Sequence, residues 1–318
     1  MSIRKKFIGA TAGISSVLPL NLLAGITGQR FIMPFYHIVS NTPCPHVKHL
    51  YRVKTEKEFI ADIDYLARNY TPIATTDLPD VLNGKYKGKK IMLLSFDDGL
   101  SEMYEVVAPI LLAKGIPAAF FLNTDFIDNK ALMFRYQASL ATEYITGINK
   151  AKVLAARNPQ QLKAIVGDKL DEISNQFLQD YKPYMSTTQV QGLIDKGFAI
   201  GGHSCSHPYY ADLTMAQQLN ETLTSVEILQ RQFNLKQKLF AFPFTDDGVS
   251  VAFFNEVFDT NQLDFTFGGA GIKNDIHPRQ IQRIPMEGWD AGAEQVLKSE
   301  YLYYIMRMPL FKNRIERH

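Results

Sequence analysis

Ile91-Met92-Leu93-Leu94-Ser95-Phe96-Asp97-Asp98-Gly99 is a short apolar run that stops on two adjacent carboxylates and a glycine. A run of this length, bounded by a turn signal, reads as a strand buried on both faces. Asp-Gly marks the turn that ends it. Downstream, Met103, Val106, Val107, Ile110 and Leu111 follow helical spacing, Gly115 closes the helix, and Ala118–Leu122 reads as the next strand. Upstream, Phe31–Ile38 reads as a strand, and Thr55-x-x-Glu58 is a capping box opening a helix with Phe59, Ile63, Leu66 and Tyr70 on one face. The alternation continues toward the C-terminus. Helices open at Ser186-x-x-Gln189 and Thr214-x-x-Gln217, and strands read over 198–202, 239–244, 265–267 and 282–286. Strands alternating with helices imply βαβ units and a parallel sheet. About seven strands suit an α/β barrel that closes or nearly closes, with its chemistry at the carboxyl ends of the strands. Residues 131–183 are helical and polar with no strand signal, and read as an insertion in this barrel rather than a second domain with its own core.

Composition agrees with one globular unit. The chain has 318 residues, 46% hydrophobic and 21% charged, which excludes a disordered, collagen-like or multi-span membrane chain. The net charge of +2 offers no basic field for nucleic acid. Cys44 and Cys205 are too few for a disulfide framework and read as free thiols. The division is a basic and apolar segment over 1–30, a barrel over 31–290 and a basic and apolar tail over 291–318. Arg4, Lys5 and Lys6 precede an uncharged stretch from Phe7 to Gln29, interrupted by Gly13, Pro19 and Asn21 and lacking a clear A-x-A site. Three readings of the ends stay open: helices packed on the barrel, peripheral contact with a membrane surface, or a signal peptide at the N-terminus. The compartment is not fixed; a cytoplasmic or membrane-surface location stands ahead of secretion.

Two segments carry the chemistry. At 97–99, one carboxylate can ligate a metal while its neighbour accepts a proton from water. The same tripeptide recurs at Asp246-Asp247-Gly248 in a loop, so position after an apolar strand is what singles out the first copy. At 203–207, His203 and His207 stand four residues apart, a spacing that lets two imidazoles face one side of a helical turn and share an ion. Cys205, between them, reads as a packed residue. Asp98, His203 and His207 together offer two nitrogens and one oxygen with a position left for water. That donor set describes a catalytic site for one divalent ion, with Zn²⁺ first among the candidates. Asp97 is then free to take a proton.

Ser95-Phe96-Asp97-Asp98-Gly99 and His203-Ser204-x-x-His207, in this order, resemble the polysaccharide deacetylase family, the NodB-homology domain of carbohydrate esterase family four. Gly115-Ile-Pro-Ala-Ala-Phe-Phe and Phe240-Ala-Phe-Pro-Phe support the resemblance, which spans about residues 31–290. It implies an irregular (β/α)7 barrel, Asp97 as general base, Asp98, His203 and His207 as metal ligands, and an oxyanion held by the backbone around Pro243-Phe244. It implies an acetylated polysaccharide or oligosaccharide as substrate, with N-deacetylation ahead of O-deacetylation. The family's third motif reads R-x-P-[YF]-G, but Ala241 stands where the arginine belongs and Thr245 where the glycine belongs. That arginine would orient the base, so Asp97 is left to be positioned otherwise. No L-x-H motif supplies a general acid. A permuted branch, similar to poly-N-acetylglucosamine deacetylases, takes that histidine from a Tyr-His on its first strand. Tyr36-His37 fits, which makes His37 the expected acid ahead of His277. Phe244, Glu287 and Trp289 are expected to line the sugar groove. Alternatives are a metal-dependent amidase for another acylated substrate, a catalytically impaired carbohydrate-binding scaffold, and a docking role for 131–183.

Overall fold

Among the described residues, four helices start at a hydroxyl that caps them, Thr55, Ser186, Thr214 and Ser250. In the computed structural model, which describes residues 18–287 and 290–317, α1 (Leu20–Thr27) leads into β1 (Phe31–Ile32) and β2 (Pro34–Tyr36). α2 (Glu56–Asn69) begins at Thr55, whose hydroxyl accepts the Glu58 N–H while the Glu58 carboxylate accepts the Thr55 N–H. β3 (Thr71–Pro72), α3 (Leu78–Leu82), β4 (Ile91–Met92) and β5 (Leu94–Phe96) follow, then α4 (Ala108–Ala113) and β6 (Ala118–Leu122). The stretch read as an insertion holds α5 (Phe134–Tyr144), α6 (Lys150–Ala155), α7 (Pro159–Val166) and α8 (Lys169–Asp180). α9 (Thr187–Asp195) and α10 (Met215–Phe233) carry the expected capping boxes at Ser186 and Thr214, and flank β7 (Ala199–Gly202). β8 (Leu239–Ala241), α11 (Val251–Asp259), β9 (Phe265–Gly268), β10 (Gln280–Gln282), β11 (Ile284–Pro285) and α12 (Ala293–Arg307) complete the order.

The main sheet is parallel throughout, in the order β10-β9-β8-β7-β6-β5-β2-β11. Its two edges, β10 and β11, are halves of one stretch of chain parted only at Arg283. The first half pairs with β9 and the second with β2, so a single strand spans the seam of the barrel. β1 and β2 are likewise parted only at Met33, and β4 and β5 only at Leu93, with β1 and β3 both pairing to β4. Joining these halves restores the seven strands expected from sequence, with β3 as an unexpected eighth that pairs only with β4.

Side chains alternate across each strand as the pleat requires. In β6, Ala119 and Phe121 join Leu93, Leu239, Ala241 and Phe267 in one buried cluster. Ala118, Phe120 and Leu122 face the surrounding helices with Met92, Leu94 and Phe96. Space inside is tight: a Cβ on Gly201 would stand 2.7 Å from the Phe121 ring, so only glycine fits there.

The four helices of 131–183 differ from expectation in one respect. Phe134, Ala138, Val153, Leu162 and Leu170 form a buried cluster of their own. α5 is nonetheless fused to the barrel, because Met133, Tyr136 and Leu140 pack with Ile38, Val47 and Leu100. At the ends, Leu20, Leu23 and Ala24 share the central core with Val296, Leu297 and Tyr301, and the Tyr301 hydroxyl donates to the Gln29 carbonyl at 2.8 Å. Residues 20–27 and 293–307 therefore pack on the barrel, while the basic start at 4–6 lies outside the described residues. Among the described residues no helix is long and apolar enough to cross a membrane.

Candidate active site

Alternation along a strand should send Asp97 and Asp98 to opposite faces. Ser95 and Asp97 do point into the barrel, where Arg283 reaches both. Asp98 leaves the pattern because its backbone is left-handed, at φ 72°. That conformation costs about 1 kcal/mol for a residue with a Cβ, and such strain clusters at functional sites. It turns the second carboxylate back toward the first, so both reach the same cavity.

The histidine pair is built by strain as well, and not by the helical turn expected from its spacing. His203 follows β7 directly, its N–H held by the Leu122 carbonyl at 2.8 Å. Ser204 and His207 then take left-handed backbones, φ 69° and 59°, and residues 203–207 form a bent loop. Glu221 of α10 steadies the bend: one carboxylate oxygen accepts the Cys205 and Ser206 N–H groups at 2.9 and 3.0 Å. Cys205 is half-buried over this helix and contributes nothing to the donor set.

The result is a buried triad in which Asp98, His203 and His207 each place a donor atom within 4.8 Å of the others. Asp98 Oδ1 lies 3.4 Å from His203 Nε2 and 3.3 Å from His207 Nε2. Donors about 2.0–2.1 Å from one tetrahedral ion stand roughly 3.3–3.4 Å apart, so the spacing suits a shared Zn²⁺. Asp98 Oδ1 is buried with no hydrogen-bond partner, a costly state unless a cation meets it. The Ala241 carbonyl accepts from His203 Nδ1 at 2.8 Å, which leaves the Nε2 lone pair facing the triad. Asp98 Oδ2 accepts from the Tyr136 hydroxyl at 2.6 Å. Burial opposes ionisation of Asp98, but His207 and His203 hold its carboxyl well below the ordinary value. Burial lowers His207, against the pull of Asp98.

Asp97 sits beside the triad, gripped by Arg283. The guanidinium donates from Nη1 and Nη2 to the two Asp97 oxygens at 2.7 and 2.8 Å, and from Nε to the Gly268 carbonyl at 3.0 Å. The Phe35 ring flanks the guanidinium at 4.4 Å. Burial would raise Asp97, but Arg283 and His203 hold it below its ordinary value, so it stays an anion and acceptor. Sequence placed no arginine here. Arg283-Ile284-Pro285 carries the R-x-P signature of the motif missing at 241–243, from the strand that spans the seam.

His37 lines the opposite wall. Its Nδ1 meets Glu287 Oε2 at 2.6 Å, and Glu287 Oε1 accepts the His37 and Ile38 N–H groups at 2.8 and 2.9 Å. Burial opposes the charged ring, yet Glu287 outweighs it and raises His37 to about 9. Glu287 thus stands behind His37 rather than against a sugar. Trp289, also expected in the groove, lies outside the described residues. His277 packs on Phe254 and Phe258, away from the cavity.

The groups converge on a cavity of about 350 Å³. Phe244 lines it from the loop after β8, stacked on Tyr209 at 3.8 Å between ring centroids. Met133, Arg135 and Tyr136 line it from α5 and the residue before, so the segment read as an insertion builds part of the wall. That contribution argues against a role for 131–183 in docking alone. The second Asp-Asp-Gly copy is explained separately: Asp246 is buried against Arg317, Gln280 and Gln282, and among the described residues it joins no metal-ligating group.

A family model described as polysaccharide deacetylase matches residues 84–255. The match contains Asp97, Asp98, His203 and His207, while His37, Arg283 and Glu287 lie outside it. Among solved structures, the deacetylase PplD of Streptococcus pyogenes, solved with acetate, superposes with a TM-score of 0.58 at 13% identity, covering 85% of this chain and 97% of its own. IcaB of Ammonifex degensii gives 0.59 at 16%, covering 86% and 98%. A de-N-acetylase of Aggregatibacter actinomycetemcomitans gives 0.53 at 18%, covering 80% and 94%. At these identities the likeness is one of fold. No curated protein sequence matches the chain.

Proposed function

The chain belongs to the polysaccharide deacetylase family, and from that premise we propose that it hydrolyses the N-acetyl group of an acetylated polysaccharide or oligosaccharide with the aid of one divalent metal ion. The observation that carries this reading is the buried convergence of Asp98, His203 and His207 around an unpartnered Asp98 oxygen. A Zn²⁺ held there would supply Lewis acidity to the acyl carbonyl and to the attacking water. Asp97 accepts the proton of that water; Arg283 fixes both its oxygens and keeps it ionised. Phe244 lines the same cavity, which puts the backbone around Pro243-Phe244, the oxyanion holder the family resemblance implies, in its wall. His37, with Nδ1 committed to Glu287, presents Nε2–H to the departing nitrogen. An amine leaves far less readily than an alkoxide without a proton, so a histidine kept charged at neutral pH favours the N-acetyl substrate. The impaired-scaffold alternative rested on the altered third motif and the absent arginine, and Arg283 on Asp97 speaks against the second of these.

Acetate release from N-acetylglucosamine oligomers is the direct test, against O-acetylated xylan as the ester control. Chelation should abolish release and Zn²⁺ should restore it, with about one ion bound per chain. A protein that retains full turnover after chelation to less than a tenth of an ion per chain overturns the metal assignment.

The His37–Glu287 pair gives a pH prediction. A group raised to about 9 is protonated below that pH and loses its proton above it, so the alkaline limb of kcat/KM belongs to His37. Its contribution to stability follows the same sign, complete below about 6.5 and lost as pH rises through 9. Glu287→Gln keeps an oxygen for the two backbone N–H groups but removes the charge. The alkaline limb should then fall by roughly 1–2 pH units. A limb that stays in place, in a pH–rate profile or in the ring titration of His37 by NMR, would refute the assignment.

A further inference from the structure

We propose that Arg135 selects an acetylated glycan bearing an anionic substituent, a carboxylate or a phosphate, near the acetyl group to be removed. The proposal rests on the deacetylase reading of this cavity and specifies its substrate class.

The inference comes from pairing the charges around the cavity. Arg283 is neutralised by Asp97, and His37 by Glu287. Arg157, close by in sequence to α6, lies over the Tyr209 ring and is paired with Asp212 at 2.8 Å. Arg135 lines the same cavity, and no carboxylate lies within salt-bridge distance of it among the described residues. Its side chain is not loose. Nη1 donates to the Leu154 and Ala156 carbonyls, at 2.7 and 3.3 Å, at the C-terminal end of α6. Those bonds occupy one nitrogen and fix the plane of the fork, while Nη2 and Nε keep their donors. Neutral carbonyls orient a guanidinium without discharging it.

A half-buried cation with no counterion is an unfavourable arrangement that an incoming anion relieves. Guanidinium matches carboxylate and phosphate in shape and takes either through two parallel hydrogen bonds. Position supports the pairing. Tyr136, the next residue on α5, donates to Asp98, so Arg135 stands one residue from the wall of the reacting centre. The Tyr209–Phe244 pair in the same cavity presents an aromatic face to a sugar ring. One substrate can then place its acetyl group at Asp97 and Asp98, a ring beside the aromatic pair and an anion at Arg135.

The test compares three probes: neutral tetra-N-acetylchitotetraose, a tetrasaccharide of alternating glucuronate and N-acetylglucosamine, and N-acetylglucosamine 1-phosphate. Acetate release and, independently, dissociation constants from calorimetry are measured for the parent protein, Arg135→Gln and Arg135→Lys. One anionic probe should exceed the neutral one by about tenfold or more in affinity, the magnitude of a charge-assisted pair. Which of the two does so identifies carboxylate or phosphate. Arg135→Gln should collapse the anionic-to-neutral ratio by about tenfold, with Arg135→Lys intermediate because it keeps charge but not the fork. A purely structural arginine pinning α6 would weaken all three probes alike and leave the ratio unchanged, which overturns the proposal. Equal affinity of the parent protein for neutral and anionic probes also overturns it. Failure to release acetate from any probe, with anionic preference intact in calorimetry, overturns the deacetylase reading and leaves the Arg135 assignment standing.

Discussion

Asp97→Asn will lower turnover by about 10²–10⁴-fold while leaving the metal content unchanged, because it deletes the proton acceptor and none of the ion's ligands. Asparagine is nearly isosteric, still offers Arg283 one oxygen, and does not touch Asp98, His203 or His207. Asp98→Ala is the control with the opposite signature. It removes the oxygen shared by both histidines, so the ion and turnover are lost together. Acetate release and metal analysis on the same preparations separate the two variants. An Asp97→Asn protein that keeps turnover within tenfold of the parent would place the base elsewhere.

Arg283→Met should destabilise the fold by about 3–5 kcal/mol, since it leaves the Asp97 carboxylate buried and uncompensated. For a chain of this size that corresponds to a fall in Tm of about 4–8 °C. The cost lies in the orphaned charge rather than in the lost contact, so the double variant Arg283→Met/Asp97→Asn should recover much of it. Turnover should stay low in both. A double variant no more stable than the single one would mean that the guanidinium holds the barrel through Phe35 and the Gly268 carbonyl instead.

Sequence carried the strands, the carboxylate pair and the histidine pair because each is local. Apolar runs, capping boxes and a turn signal are read within a dozen residues, and they place Asp97 and His203 at strand ends. What it missed is non-local or conformational. Arg283 acts on a residue 186 positions away, and its R-x-P signature has no meaning until the seam brings it within reach of Asp97 at the end of β5. Tyr136 belongs to a stretch that reads only as a polar helical insertion, yet its hydroxyl donates to Asp98. Spacing alone assigned His203 and His207 to a helical turn, whereas left-handed backbones at Ser204 and His207 do the converging. Glu287 is legible as a polar residue at a strand end and reads as part of the sugar groove, but only the fold shows that it faces His37.

The strand bridging the seam, with Arg283 at its break and Glu287 just beyond, also sets when the catalyst becomes competent. Asp97, Asp98, His203 and His207 are all synthesised before it. A nascent polypeptide still on the ribosome holds these groups without the partner of its base or the partner of its acid. Joining the two sheet edges completes both pairs at once, so on the proposed mechanism a seam-opened chain should lack its positioned base and its charged acid together.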